Sequence, residues 1–458
     1  MQAPRILAAL AIAATAMSTT PAAQTAQTVA VPIVYHKLDN GLKVVLSRDA
    51  SSPTAVVAVY YNIGFRIEPK DRTGFAHLFE HMMFQGSQHL GKNQFIGLVE
   101  SNGGILNGST RFDFTNYFQI IPSHTVETIL WGEADRMRGL NITQENLTNQ
   151  QGVVKNEVKV NVLNQPYGGF PWLDLPQLAN TNWYNAHNFY GDLADLDAAT
   201  LADVQQFFKT YYAPNNAVLV VTGDIDTART LAWVTQYFAA IPSSKLPPSP
   251  DITEPRQEKE RRSNRQDPLV NRPALALGYH HPARDTPEFY AMGLIDQLLL
   301  QGQDSRLHES LVQKRGLTGS VDGGANPGLG SMFDIKGPTL WTISLIHDSS
   351  KSADEIIRAI DHEVTRLQTT RVTKEELALA LVKRRSALFA EQEAFVRFGR
   401  ANLLASYALF DDDPAKINRL EGEFRKVTPE LIQKTAREYL RPTNRTILTI
   451  TPQVKEVK

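Results

Sequence analysis

Apolar and polar positions follow two rhythms along the chain, and each change of rhythm marks an element. Val34–Lys37 and Leu42–Leu46 flank Asp39-Asn40-Gly41, and an Asn-Gly pair between short apolar runs predicts a hairpin with a tight turn. Thr54–Asn62 is rich in Val, Ala and Tyr and reads as a buried strand. Arg72–Gln85 has a helical pattern closed by Gly86, and Asp113–Ile121 has β-type composition. Helical patterns cover 123–139, 143–165 and 198–211, and Ala217–Thr222 reads as a further strand.

Between about 243 and 272 the periodicity stops. Ser243-Ser244-Lys245-Leu246-Pro247-Pro248-Ser249-Pro250 leads into a charged stretch through Lys259, Arg261 and Arg265, which predicts an exposed linker. The segments on either side are related. Leu201–Asp224 reads as helix, a Pro-Asn-Asn turn and a strand, and Glu430–Ile450 repeats that order through Pro442-Thr443-Asn444. A duplicated unit of this length is not a solenoid, whose repeats are shorter. Mixed helices, strands and hairpins give an α+β class with two homologous halves, each a mainly antiparallel sheet packed with helices. The expected organisation is a leader at 1–26, a first domain at 27–242, a linker at 243–272 and a second domain at 273–458.

Composition removes several function classes. The chain has 458 residues, 42% hydrophobic and 21% charged, the balance of a folded protein. Lys+Arg is 47 and Asp+Glu 48, so the basic surplus of a nucleic-acid binder is missing. Cysteine is absent, which excludes disulfides, a thiol nucleophile and thiolate metal sites. Any metal must be held by His, Asp and Glu. Arg5 precedes a small apolar run, Ile6–Met17, and then Ala22, Ala23 and Ala26. That order predicts a cleaved secretory signal peptide, hence an exported chain, periplasmic or secreted, with no membrane anchor after cleavage.

The most informative segment is Gly74-Phe75-Ala76-His77-Leu78-Phe79-Glu80-His81. Four positions apart on a helix, His77 and His81 face the same side and can share one ion. Two neutral imidazoles beside a carboxylate suit tetrahedral zinc with an open water position. Glu80 is then the candidate general base, and H-x-x-E-H is an inverted zinc-peptidase motif. A catalytic zinc needs a third ligand. The residues alone do not single out that ligand, and Glu157, on a helix that also carries Lys155 and Lys159, reads by itself as a surface acid. Gly103-Gly104-Ile105-Leu106-Asn107-Gly108-Ser109-Thr110 reads on its own as a glycine-rich turn before a strand. Adjacent His280 and His281 on a strand would point to opposite faces and do not make one site. Gly323–Gly330 lacks the strand–helix context of a phosphate loop and reads as a flexible loop.

The His77–His81 motif, with Val153-Val154-Lys155-Asn156-Glu157 downstream, resembles the pitrilysin/insulinase family of zinc metallopeptidases. The resemblance extends through Gly103–Thr110 and Tyr212–Asp224. It implies one Zn2+ per chain on His77, His81 and Glu157, with Glu80 as base. It implies that a peptide or unfolded-protein substrate adds as a strand beside Asn107 and Gly108. It also implies a zinc-bearing first domain, an inactive repeat as the second, and a clam-like chamber of which this chain forms half. Two positions depart from the family pattern. Gln150 stands where a supporting acid is expected. Val312 and Gly319 stand where the second half supplies an Arg and a Tyr, and neither can donate a side-chain hydrogen bond. The chain is therefore expected to be a zinc metalloendopeptidase subunit whose heterodimeric partner, a paralogous chain, carries the Arg and Tyr. A non-catalytic assembly subunit or a peptide-binding subunit is the alternative.

Overall fold

A computed structural model describes residues 30–453, so the expected leader at 1–26 lies outside the described residues. Two sheets organise the chain. The first runs in spatial order β1 (Val34–Lys37), β2 (Lys43–Arg48), β6 (Ala217–Gly223), β3 (Thr54–Tyr61), β5 (Thr115–Pro122), β4 (Ile105–Thr110). The second runs β7 (Arg261–Asp267), β11 (Arg445–Pro452), β8 (Ala274–His280), β10 (Leu340–Ile346), β9 (Asp322–Ala325). Apart from the extra β1, the two paths coincide. In each, the first pair is parallel (β2 with β6, β7 with β11) and the remaining three pairs are antiparallel. The α+β class and its two related halves are thus visible in the topology. The hairpin read around Asn40-Gly41 is also present, with Val34 opposite Leu46 and Lys37 opposite Lys43.

Both faces of the first sheet are covered. On one lie helices α1 (Phe75–Met82), α2 (Gln94–Ser101) and α3 (Val126–Arg138), whose Leu78, Phe79, Val99, Ile129 and Leu130 join Val57, Val59 and Tyr61 in one core. The other face receives the segment Lys374–Asp411 from the second half, two helices separated by a non-helical break at residues 394–397. Phe398 stacks on Phe118 with ring centroids 3.8 Å apart, and Tyr60 donates to Asn402 at 2.8 Å. Burial on two faces is why β3 reads as a continuous apolar run instead of an alternation.

The halves are joined by a buried polar clamp. Asp113, in the turn between β4 and β5, accepts from Arg66 Nε at 2.6 Å and from the backbone N–H groups of Lys336 and Gly337 at 2.7 and 3.2 Å. Arg66 Nη2 donates to the Pro338 carbonyl at 2.9 Å. A strap before β10 is thereby tied to the turn that ends β4.

Two expectations need correction. Residues 261–267, read as linker, form edge strand β7, paired along its length with β11. The charges that suggested solvent lie on a sheet edge, where they are common because they block further pairing. Arg265 pairs with Asp174 at 2.7 Å and Arg261 donates to the Ala179 carbonyl at 2.6 Å. The glycine-rich loop is also partly strand, since Asp322–Ala325 is β9. Gly323 has φ +144°, and a Cβ there would fall 2.1 Å from the Thr342 carbonyl oxygen. Glycine here serves close strand approach as well as flexibility. Among the described residues no helix is long and apolar enough to cross a membrane.

Candidate metal centre

The site is built on α1 and on helix α4 (Gln144–Val158), which packs against it. Gly74 starts α1 without a capping side chain. The Glu68 carboxylate serves instead, accepting from Gly74 N at 2.9 Å and Ala76 N at 2.5 Å. A carboxylate at this end matches the positive pole of the helix. Burial pushes the Glu68 carboxyl upward, against the opposing pull of His187. Anchored by this cap and by Phe75, Leu78, Phe79 and Met82 in the core, α1 presents His77 and His81 toward α4.

His77, His81 and Glu157 are the one group of three or more metal-type side chains found together among the described residues. His77 Nε2 and His81 Nε2 are 3.4 Å apart. Glu157 Oε2 lies 3.6 Å from the first and 3.3 Å from the second. A tetrahedral zinc with bonds of about 2.0–2.1 Å separates its ligand atoms by about 3.3–3.4 Å. The triangle therefore has the size and donor chemistry of three zinc ligands, with a fourth direction left over. Burial, then the neighbouring His81, holds the His77 imidazole down to about 4, so at neutral pH it has the free lone pair that a ligand needs. The His81 hydrogen bond holds the Glu157 carboxyl below the ordinary range, in its anionic form. His77 Nδ1 is buried without a hydrogen-bond partner. The ring is held by aromatic contacts instead, with Phe189 and Tyr190 at centroid distances of 5.0 and 5.2 Å.

Glu80 turns from the same helix toward β4. Thr110 Oγ1 donates to Glu80 Oε2 at 2.7 Å. Burial raises the Glu80 carboxyl, and the Thr110 hydrogen bond opposes it. Gly108 lies directly over Glu80, where a Cβ would come 3.1 Å from Cγ. Asn107 is the next residue and points to the opposite face, its Oδ1 accepting from Gly108 N at 2.8 Å. β4 is the last strand of its sheet, so its outer backbone edge is unpaired among the described residues.

Gln150 is buried on α4, while the outer oxygen of Glu157 faces Asn161, whose Nδ2 donates to Oε1 at 3.5 Å. Val312 sits in the π-helical turn His308–Lys314, and Gly319 is exposed with open space around it. His280 and His281 have separate backbone partners, the Ala179 and Pro282 carbonyls. Sequence reasoning missed Glu68, Thr110, Asn161 and Tyr190. Of these only Thr110 had a local signal, because two residues after Gly108 on a strand it must share that face.

Residues 43–167 match the insulinase domain of peptidase family M16, and residues 198–382 match the peptidase M16 inactive domain. The zinc protease PqqE of Helicobacter pylori is 25% identical over 422 residues, spanning 91% of this chain and 92% of that one. An uncharacterized zinc protease of Streptomyces coelicolor is 23% identical over 424 residues, spanning 88% and 86%. The crystal structure of a protease from Helicobacter pylori superimposes with a TM-score of 0.85 at 24% identity, over 92% of this chain and all of that one. The periplasmic protease PqqL of Escherichia coli gives 0.74 at 19% identity, over 92% of this chain but 48% of that one. The chain belongs to peptidase family M16, the pitrilysin/insulinase family of zinc metallopeptidases.

Proposed function

We propose that this chain is an exported zinc metalloendopeptidase subunit that hydrolyses peptides or unfolded proteins in a closed chamber. The observation that carries the reading is the triangle of His77, His81 and Glu157 with Glu80 beside it. Zinc on those three residues would supply Lewis-acid chemistry, acidifying water and polarising a carbonyl. Glu80 takes the water proton. Its raised carboxyl lies nearer to neutral pH than an exposed glutamate's and so makes a better matched base. Thr110 holds one Glu80 oxygen and leaves the other free to face the water. A substrate strand adds to the free edge of β4 by main-chain hydrogen bonds. Gly108 lets the peptide pass close over Glu80, and Asn107 meets it from the other face.

What the chain lacks argues for a partner. Val312 and Gly319 offer no donor to a developing oxyanion, and loss of one such donor costs about 10²–10³ in rate. We place the missing Arg and Tyr on a paralogous second subunit. Export is supported by the leader-like residues 1–26 and by a relative named as periplasmic. The test is Glu80→Gln, measured with a quenched peptide library and elemental analysis. Zinc stays bound while hydrolysis is lost with the partner present, and near-normal turnover would remove Glu80 from the mechanism. Full activity of the isolated parent chain would remove the partner.

A further inference from the structure

The segment Lys374–Asp411 breaks where it meets the first sheet. Phe395, Val396 and Arg397 have φ of +48°, +53° and +68°, three successive side-chain-bearing residues in the left-handed region, one of them β-branched. Their surroundings enforce this. Arg397 donates to Ser51 Oγ at 2.6 Å, and Arg400 donates to Asp49 at 2.7 Å and to Glu393 at 2.8 Å. A Cβ on Gly399 would collide with the Glu391 carbonyl oxygen, so the chain turns back closely on itself. Backbone held in this way concentrates at sites that clamp ligands. Its result here is exposure of apolar surface. Phe395 and Val396 stand 55% and 56% exposed, while Glu393, Arg397 and Arg400 beside them are paired.

Strand register places this apolar tip. Phe395 packs edge-on against Phe118 with ring centroids 5.8 Å apart, and Phe118 lies opposite Asn107 of β4. One step along the same pair, Ile120 lies opposite Ile105, itself 48% exposed. Side chains alternate across a sheet, so Ile105, Asn107, Phe118 and Ile120 share one face. Gly108 and Thr110, which meet Glu80, lie on the other. Beyond Phe398 the chain runs over β3, where Asn402 accepts from Tyr60, so the bend is its end toward β4. We infer that Phe395 and Val396, with Ile105, form an apolar wall beside the free edge of β4 and select substrates by an apolar side chain. This deepens the peptidase reading above and rests on it. A peptide strand added to β4 lies two strand spacings, about 10 Å, from β5, and the Phe395 ring leaning out from Phe118 spans much of that gap. Successive side chains of the added strand face opposite ways. Of the two residues flanking the cut bond, one therefore faces Glu80 and the other faces the wall, where Leu or Phe is preferred over Ser because it leaves water there.

The experiment uses the full chain with its partner subunit and two sets of quenched peptides. Each set varies one of the two residues flanking the cut bond as Leu, Phe or Ser, and mass spectrometry identifies the bond that is cut. At the wall-facing position kcat/KM is expected to be about 10–100-fold higher for Leu or Phe than for Ser, the range for one apolar side chain in a pocket. Phe395→Ser and Val396→Ser should each lower that ratio, and the double variant should bring it close to unity. The ratio at the other position stays as in the parent. Phe395→Leu, which keeps an apolar side chain at the tip, should retain the preference. Poor folding of one variant lowers the rate on every peptide alike and leaves its ratio, so the ratio reads contact with the substrate and not stability. A parental ratio near one overturns the assignment, as does a ratio that both Ser variants keep. A parent complex that cuts no peptide removes the peptidase reading together with this inference, whereas cutting without the preference removes this inference alone.

Discussion

Asp113→Ala tests how the two halves are held in register. Arg66 is fully buried and Asp113 is 6% exposed, with Nε to Oδ1 at 2.6 Å. Removing the carboxylate strands a guanidinium away from water and also leaves the Lys336 and Gly337 N–H groups without their acceptor. Breaking a buried ion pair on one side costs about 3–5 kcal/mol. At about 2.1 cal/mol/K of unfolding entropy per residue, a unit of this length loses about 1 °C per kcal/mol, so the melting temperature should fall about 3–6 °C. Differential scanning calorimetry measures this directly. The double variant Arg66→Met, Asp113→Leu should recover part of the loss, because it no longer buries an unpaired charge. A shift under 1 °C for Asp113→Ala would refute the argument, as would a double variant no better than the single. The first result would mean that the apolar contacts of the helical segment Lys374–Asp411 alone hold the halves together.

Five other variants probe the site. Thr110→Val deletes the hydrogen bond to Glu80 without changing shape; at about 1.5–3 kcal/mol for a bond to a charged group, kcat should drop about 10–100-fold with zinc content unchanged. Glu157→Ala, His77→Ala and His81→Ala should each lower zinc occupancy by elemental analysis, and full zinc with full activity in Glu157→Ala would break the third-ligand assignment. Glu68→Gln keeps one acceptor oxygen, turns an NH2 donor on the other backbone N–H and loses the charge at the helix end; it should cost about 1–3 kcal/mol of stability, read as a small fall in melting temperature.

How much of this was legible in the sequence depended on whether the information was local. The hairpin at Asn40-Gly41 was readable because the turn and both runs lie within a few residues. The His77, Glu80 and His81 set was readable for the same reason, since helical spacing alone puts the two imidazoles together. Glu157 was ambiguous because nothing near it distinguishes a ligand from a surface acid, and α4 reaches α1 only through tertiary packing. β7 was misread because its composition is that of a linker; only pairing with β11, far along the chain, makes it a strand. Tyr190 and Glu68 carried no signal at all. Each acts through a contact with α1 that no periodicity encodes, and Glu68 caps a helix whose own N-cap residue is a glycine.

The duplication separates what the fold requires from what the chemistry requires. In the first half, α1 follows the central strand β3; in the second, Pro287–Leu299 follows β8, at the same point in the path. Both helices bury an apolar face against their sheet and so serve the same packing role. Yet Pro287–Leu299 contains no histidine, and of its two acids Glu288 pairs with Lys434 at 3.0 Å while Asp296 accepts from Trp341 Nε1 at 2.8 Å. A carboxylate hydrogen-bonded in this way is satisfied within the fold. The scaffold therefore persists without the ligands, and the ligands add nothing that the scaffold needs. His77, Glu80 and His81 place two polar rings and an acid at the edge of a core that Leu or Phe would fill more favourably. Residues that the fold does not need, gathered around a single point, are the physical signature of a site kept for its chemistry.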